Sequence, residues 1–290
     1  MTSTTPPLPS LFLSHGSPMT ALEPGEAGAF WQRLGPALDA AFGRPRAILA
    51  ISAHSLTREP VLLAAPRHEA VHDFGGFPSA LYQLRYDTPG APELAQQAQA
   101  LLAQAGIPAH RLAQGGLDHG IWTPLRWMFP QADVPVLPLA YVPTHSPAEQ
   151  FALGQALAPL AAEGVLVLGT GSITHNLRLL GRLHGTPRSG DAELPESAAF
   201  RGWMHERATA RDWPALFDYR AQAPHAALMH PTDEHLLPWH AAAGAGGRQA
   251  VPLRLHASVT FGALGMDAYA FGPGAARLAA QLQAPTASAM

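Results

Sequence analysis

Short apolar runs of strand length alternate with Ala- and Leu-rich segments of helix length along nearly the whole chain, and few architectures accept that alternation. It predicts an α/β domain with a central mixed, mostly parallel sheet flanked by helices. The expected strands are Leu8–Leu13, Ala47–Ser52, Pro60–Ala65, Val134–Val142 and Gly164–Leu168, with one or two more around Val251–Leu255 and Ser258–Phe261. The expected helices are Glu26–Phe42, Pro92–Ala105, Ile121–Phe129, Pro147–Glu163 and Glu193–Arg211, with short ones near Glu234–Ala243 and Ala275–Leu282. Each opens near Pro, Ser or an acidic residue, as helix starts tend to. At 290 residues, with no internal repeat or low-complexity linker, residues 1–290 are read as one domain.

Absences then narrow the chemistry. There is no Cys, which removes thiol nucleophiles, disulfides and Cys-based zinc or iron–sulfur sites. There is no Lys either, since all 18 basic residues are Arg, so Schiff-base chemistry and the P-loop are excluded. Asp73-Phe74-Gly75 is therefore no kinase motif, because its partner Lys does not exist. Net charge is -3 with no basic stripe, which argues against nucleic-acid partners. Charged residues make up 13%, but small residues fill the gap, and no apolar run approaches the ~20 residues of a membrane span. The N-terminal MTSTTPPLPS lacks the basic and apolar regions of a signal peptide, so a cytoplasmic protein is expected. His, by contrast, is plentiful at 15, and any transition-metal site must be built from it with Asp or Glu.

Three apolar strands run directly into a histidine. Leu11-Phe12-Leu13-Ser14 leads to His15, and Ile48–Ala53 leads to His54. Val165–Leu168, followed by Gly169-Thr170-Gly171-Ser172-Ile173-Thr174, leads to His175. In open α/β sheets ligands bind beyond the carboxyl ends of the strands, so these imidazoles are expected to converge there. A lone His at a strand end is commonly a hydrogen-bonding residue; three of them in a Cys-free chain point to a metal. The small residues beside each one let backbone approach a bound ion closely.

Other segments add candidates. In His230-Pro231-Thr232-Asp233-Glu234-His235, Thr232 is a possible helix cap and Glu234 or His235 a possible ligand at the helix start. Asp118-His119-Gly120 suits a positioned acid–base group in a turn. Asn176, the only Asn, follows His175 and is a candidate to orient its ring. His72, Asp73, Phe77 and Tyr82 lie in a Gly/Pro-rich loop that is read equally as a lid or a plain surface loop. His-Glu-x-x-His, Gly-x-Ser-x-Gly and Gly-x-Gly-x-x-Gly are absent.

Taken in order, Leu11–Pro18, Ser52-Ala53-His54, His72–Pro78, Asp118-His119-Gly120, His175-Asn176-Leu177 and Pro231–His235 resemble the class III extradiol ring-cleavage dioxygenases, in their DOPA-dioxygenase branch. The resemblance spans nearly the whole chain. It implies one divalent metal, Fe(II) for catalysis and Zn(II) in some isolated proteins, with a DOPA-like catechol and O2 as small-molecule substrates. It implies metal ligands at His15, His54 and His235, and makes His175 either a further ligand or an acid–base residue. His119 matches a second active-site His. On this reading His175 takes a proton from the catechol and His119 returns one as the ring opens. More distant class III enzymes use a carboxylate in the metal site, which leaves Glu234 as the rival of His235. Two other functions fit the same scaffold: a zinc hydrolase with Glu234 as base, and a non-catalytic binding protein. Oligomeric state is not legible.

Overall fold

The computed structural model describes residues 7–182 and 190–284. Its strands, in chain order, are β1 (Ser10–Ser14), β2 (Ala47–Ser52), β3 (Val61–Leu63), β4 (Arg67–His68), β5 (Thr88–Pro89), β6 (His110–Leu112), β7 (Val136–Ala140), β8 (Val165–Gly171), β9 (Leu253–His256), β10 (Val259–Thr260), β11 (Leu264–Gly265) and β12 (Ala268–Phe271). Eight of them form the central sheet in the order β6-β3-β7-β2-β8-β1-β12-β9. The block β7-β2-β8-β1 is parallel throughout, while β3 joins β7 and β12 joins β1 antiparallel. The sheet is thus mixed and mostly parallel in a single α/β domain, as the alternation predicts. No helix among the described residues is long and apolar enough to cross a membrane.

Period-two alternation with both faces buried explains the layers. In β2, Ile48 and Ala50 enter the core shared with helices Gly25–Phe42 and His119–Met128, while Ala47, Leu49 and Ile51 enter the opposite core. In β8, Leu166 and Leu168 face the first core and Val165 and Val167 the second. Leu11 and Leu13 of β1 follow the same rule. Carried on to the strand ends, this parity puts His15, Ser52, His54 and Thr170 on the face of helix His119–Met128. Register completes the picture, because Leu13 and Ser52 both pair with Thr170. His15 and His54 therefore each stand two residues past one level, on the two strands that flank β8.

Several elements depart from expectation. The segment Pro147–Glu163 is an α-helix only to Leu157 and then a 3-10 helix, Ala158–Glu163, with Pro159 inside. Proline removes an intrahelical donor and crowds the preceding turn, which explains the change. The run Ser258–Phe261 gives only β10, which pairs with β11 in a separate two-stranded ladder. The strand that completes the sheet is β12, in a stretch where no strand is expected. The helix expected from Glu234 begins at Leu237, with Leu236 at its N-cap and no side-chain cap. Thr232 is therefore not a cap; its hydroxyl donates to the Glu234 carboxylate at 3.1 Å.

Candidate metal centre

Five imidazoles gather at the carboxyl edge of β1, β2 and β8. The ring centroids of His15 and His54 are 4.9 Å apart, those of His54 and His235 5.0 Å, and those of His15 and His235 5.7 Å. His119 lies 4.0 Å from His54, and His175 stacks on His235 at 3.4 Å. Donor atoms of His15, His54 and His119 lie within 4.8 Å of one another, and so do those of His175, Glu234 and His235. His15, His119 and His235 are buried; His54 and His175 are partly so.

The second nitrogen of three of these rings is pinned. The Thr170 hydroxyl donates to the Gly120 carbonyl at 2.7 Å, so its oxygen is left to accept the Nδ1–H of His15 at 3.0 Å. Asp73 accepts the Nδ1–H of His119 at 3.0 Å. Glu234 accepts the Nδ1–H of His235 at 3.0 Å. Each bond fixes the tautomer that turns a bare Nε2 inward, as ligating histidines require. The Nε2 of His235 is buried with no hydrogen-bond partner, and that of His15 faces the Nε2 of His54 at 3.0 Å.

Electrostatics keep His15, His54 and His175 neutral and ready to ligate. Burial pushes His54 down to about 3, helped by His119 and His235. Burial, then His235, pushes His175 down to about 2, and burial takes His15 well below its ordinary value. Burial opposes the ionisation of Glu234, but hydrogen bonds from His235 and Thr232 outweigh it and hold that carboxyl at about 2. Unpaired nitrogens in a buried polar pocket are costly unless a partner is supplied, and neutral imidazoles suit Fe(II) or Zn(II).

Small residues make the convergence possible. A Cβ on Gly171 would lie 2.1 Å from the His235 carbonyl, and one on Gly169 2.2 Å from that of Pro238. The glycines beside His175 thus admit the backbone that carries His235 to the strand end, where the sequence suggested approach to an ion. The His235 carbonyl then accepts the Ser172 N–H at 2.9 Å. Tyr141 donates to the Glu234 carbonyl at 2.5 Å, steadying the same turn.

Other expectations are corrected. The acid that serves His119 is Asp73, not the adjacent Asp118, whose buried carboxylate accepts from Ser52 and Ser55 at 2.6 Å each and is raised by burial. Asn176 does not touch the His175 ring. Its amide donates to the Leu228 carbonyl and its oxygen accepts the Arg178 N–H, so it shapes the loop instead. Of the Gly/Pro-rich loop, Phe74 and Phe77 line the cavity over the histidines, whereas His72 and Tyr82 do not. That cavity is about 500 Å³, and all five histidines border it; Glu234 does not. The sequence does not single out Thr170, and it marks Asp73 only as a loop residue, not as the partner of His119. Thr170 was readable from parity with Leu166 and Leu168, but nothing local marks Asp73 as the partner of a residue so distant.

A mixed α/β sheet with a cluster of imidazoles at its carboxyl edge defines a scaffold fit to hold a metal ion. Residues 9–272 match the family described as the catalytic LigB subunit of aromatic ring-opening dioxygenase. A 4,5-DOPA dioxygenase extradiol from Beta vulgaris is 38% identical over 90% of this chain and 96% of its own. One of the same name from Escherichia coli K12 is 37% identical over 80% of this chain and 82% of its own. A crystallographically solved Escherichia coli K12 protein, described as uncharacterized, superposes with a TM-score of 0.74 at 31% identity, covering 91% of this chain and 100% of that one. The chain belongs to the LigB family of ring-opening dioxygenases, and it is an enzyme of extradiol aromatic ring cleavage. The hydrolase and binding-module readings give way to that membership.

Proposed function

We propose that the chain opens a catechol ring with O2, using one Fe(II) held by His15, His54 and His235. The observation that carries the ligand set is the unpartnered, buried Nε2 of His235, which faces the same cavity as the other two rings. Glu234 is spent on the Nδ1 of His235 and does not border the cavity, so it supports a ligand without being one. Zn(II) fits the same imidazoles, so zinc in an isolated preparation is consistent with this site.

Fe(II) at this position would supply the Lewis-acid and redox chemistry that brings catechol and O2 into one reacting set. The residues handle geometry and protons. Phe74 and Phe77 offer aromatic edges to the flat ring and help keep water off it. His175, held neutral by burial, presents a lone pair to a catechol hydroxyl. His119, its Nδ1 fixed by Asp73, presents Nε2 on the opposite side of the cluster and returns the proton as the ring opens. The relatives' names make DOPA, or a catechol resembling it, the reference substrate.

The test is aerobic incubation of Fe(II)-loaded protein with a panel of catechols. A yellow ring-opened product with matching O2 uptake is expected; no product from any catechol would sink the reading.

A further inference from the structure

Asp118 forgoes the task its position suggests. It stands at the N-cap of helix His119–Met128, where a carboxylate ordinarily accepts an N–H from its own first turn, yet its side chain makes no such bond. Only its backbone carbonyl serves the helix, accepting from Ile121 at 2.9 Å and Trp122 at 3.0 Å. The buried side chain turns instead toward the end of β2. Its Oδ1 accepts the Ser52 hydroxyl and its Oδ2 the Ser55 hydroxyl, each at 2.6 Å. These two serines bracket His54. The Ser52 hydroxyl oxygen also accepts the His54 N–H at 3.2 Å, and the Ser52 carbonyl accepts the Ser55 N–H at 3.1 Å. One carboxylate thus closes both sides of the turn that carries the ring. Hydrogen bonds to an ionised acceptor are short and strong, so the closure is firm. A Cβ on Gly120 would lie 2.6 Å from the Ser52 hydroxyl oxygen and 3.1 Å from Oδ1 of Asp118, so only glycine lets the two meet.

His54 needs such a device more than its neighbours do. Among the described residues, the Nδ1 atoms of His15 and His235 are hydrogen-bonded to Thr170 and Glu234, whereas that of His54 has only Asp73 at 3.7 Å. Its ring is therefore placed by its backbone. We infer that Asp118 is a positioning residue that holds His54 in ligating position through Ser52 and Ser55. As the residue before His119, it also sets the spacing of the His54 and His119 rings, whose centroids are 4.0 Å apart. This rests on the ligand set proposed above. Without the carboxylate both hydroxyls lose their acceptor, and the turn is free to carry the ring away from the other two ligands. Asp118→Asn keeps the size but not the clamp, because an amide accepts from only one of the two hydroxyls.

The experiment measures Fe(II) affinity by anaerobic competition with a chelator, the visible spectrum of the Co(II)-loaded protein, and exchange of the His54 amide hydrogen in metal-free protein by NMR. Asp118→Asn is expected to weaken Fe(II) binding by about 10–100-fold, as loss of an orienting partner typically does. It is also expected to shift the Co(II) bands and to speed exchange at His54. In a Ser52→Ala/Ser55→Ala background the same substitution should cost less than about threefold, because groups that act through one network are not additive. The full loss persisting in that background would show that Asp118 does not act through the serines, and overturns the proposal. A lowered melting temperature with Fe(II) affinity and Co(II) bands intact makes Asp118 a residue of the fold alone, and overturns it equally. Should Asp118→Asn not fold, Ser55→Ala removes one arm of the clamp and must itself weaken Fe(II) binding and shift the Co(II) bands. His54→Ala checks the premise: Fe(II) binding unimpaired in that variant counts against the ligand set instead, and exchange of the His54 amide in Asp118→Asn then decides the clamp on its own.

Discussion

Both carboxylate oxygens of Asp73 lie within hydrogen-bonding distance of the Nδ1 of His119, at 3.0 and 3.1 Å, across 46 residues of sequence. The same acid accepts the His119 backbone N–H at 3.0 Å and lies 3.7 Å from the Nδ1 of His54. One loop carboxylate therefore orients one imidazole directly and biases a second through charge. Burial works against ionisation of Asp73, but the bonds from His119 prevail and hold its carboxyl below the usual range.

Asp73→Asn keeps the shape but lets an amide N–H face the ring. We expect kcat to fall by about 10–100-fold while iron content stays near that of the unsubstituted protein, since removing an orienting partner typically costs that much. Steady-state kinetics beside metal analysis checks it. Loss of iron with unchanged turnover per iron would move Asp73 from orienting His119 to supporting the ligands.

Thr170→Val removes the hydroxyl that accepts from His15 and leaves the Gly120 carbonyl without its donor. The expected outcome is metal affinity weakened by about 10–100-fold, read by competition with a chelator. Equal affinity would mean that the hydrogen bond does not hold His15 in its ligating tautomer.

Gly171→Ala places a Cβ 2.1 Å from the His235 carbonyl, a backbone atom that cannot swing aside. The turn bearing His235 must move, so both metal content and thermal stability are expected to drop. Gly202→Ala is the contrast: its Cβ meets nothing within 4 Å, and it lies inside helix Pro195–Ala210. That change is expected to stabilise by about 0.5–1 kcal/mol, through the lower chain entropy of alanine. Equal effects in denaturant unfolding would refute the packing argument.

His240 is buried with neither ring nitrogen hydrogen-bonded, and burial holds it down at about 3 against an ordinary 6.5. The unfolded chain takes up this proton near 6.5, the folded chain only near 3. Between those values the unfolded state binds more protons, so stability falls as pH falls, by at most about 1.4 kcal/mol per pH unit for one group. Above the higher value both states are neutral and the group contributes no pH dependence. His240→Leu should flatten the acid limb of stability by about that slope between about pH 6 and about pH 4, measured by urea unfolding. An unaltered limb would place the acid sensitivity in other groups.

The frame of this fold was legible wherever one segment carries its own signal. β2 and β8 are runs of buried apolar residues, and the histidines past β1 and β2 follow from chain direction alone. Legibility failed where structure depends on distant partners. β12 is four residues whose place is fixed by pairing with β1, and nothing in Ala-Tyr-Ala-Phe announces it. Gly169 and Gly171 suggest room for an ion, but that room is filled by backbone from residues 235–238, which only the tertiary fold brings there. Asp118 looked like the partner of His119 because it is adjacent, yet at a helix start the side chains of neighbouring residues diverge, and Asp73 takes the role. The choice between Glu234 and His235 turns on which side chain borders the cavity, and neighbours in a turn give no sequence sign of that.

The most direct measurement is the crystal structure of the protein loaded anaerobically with Fe(II). The account predicts one ion bonded at about 2.1 Å to the Nε2 atoms of His15, His54 and His235, with Glu234 still on the Nδ1 of His235. An ion bound through the Glu234 carboxylate, or anywhere away from these three nitrogens, would contradict it.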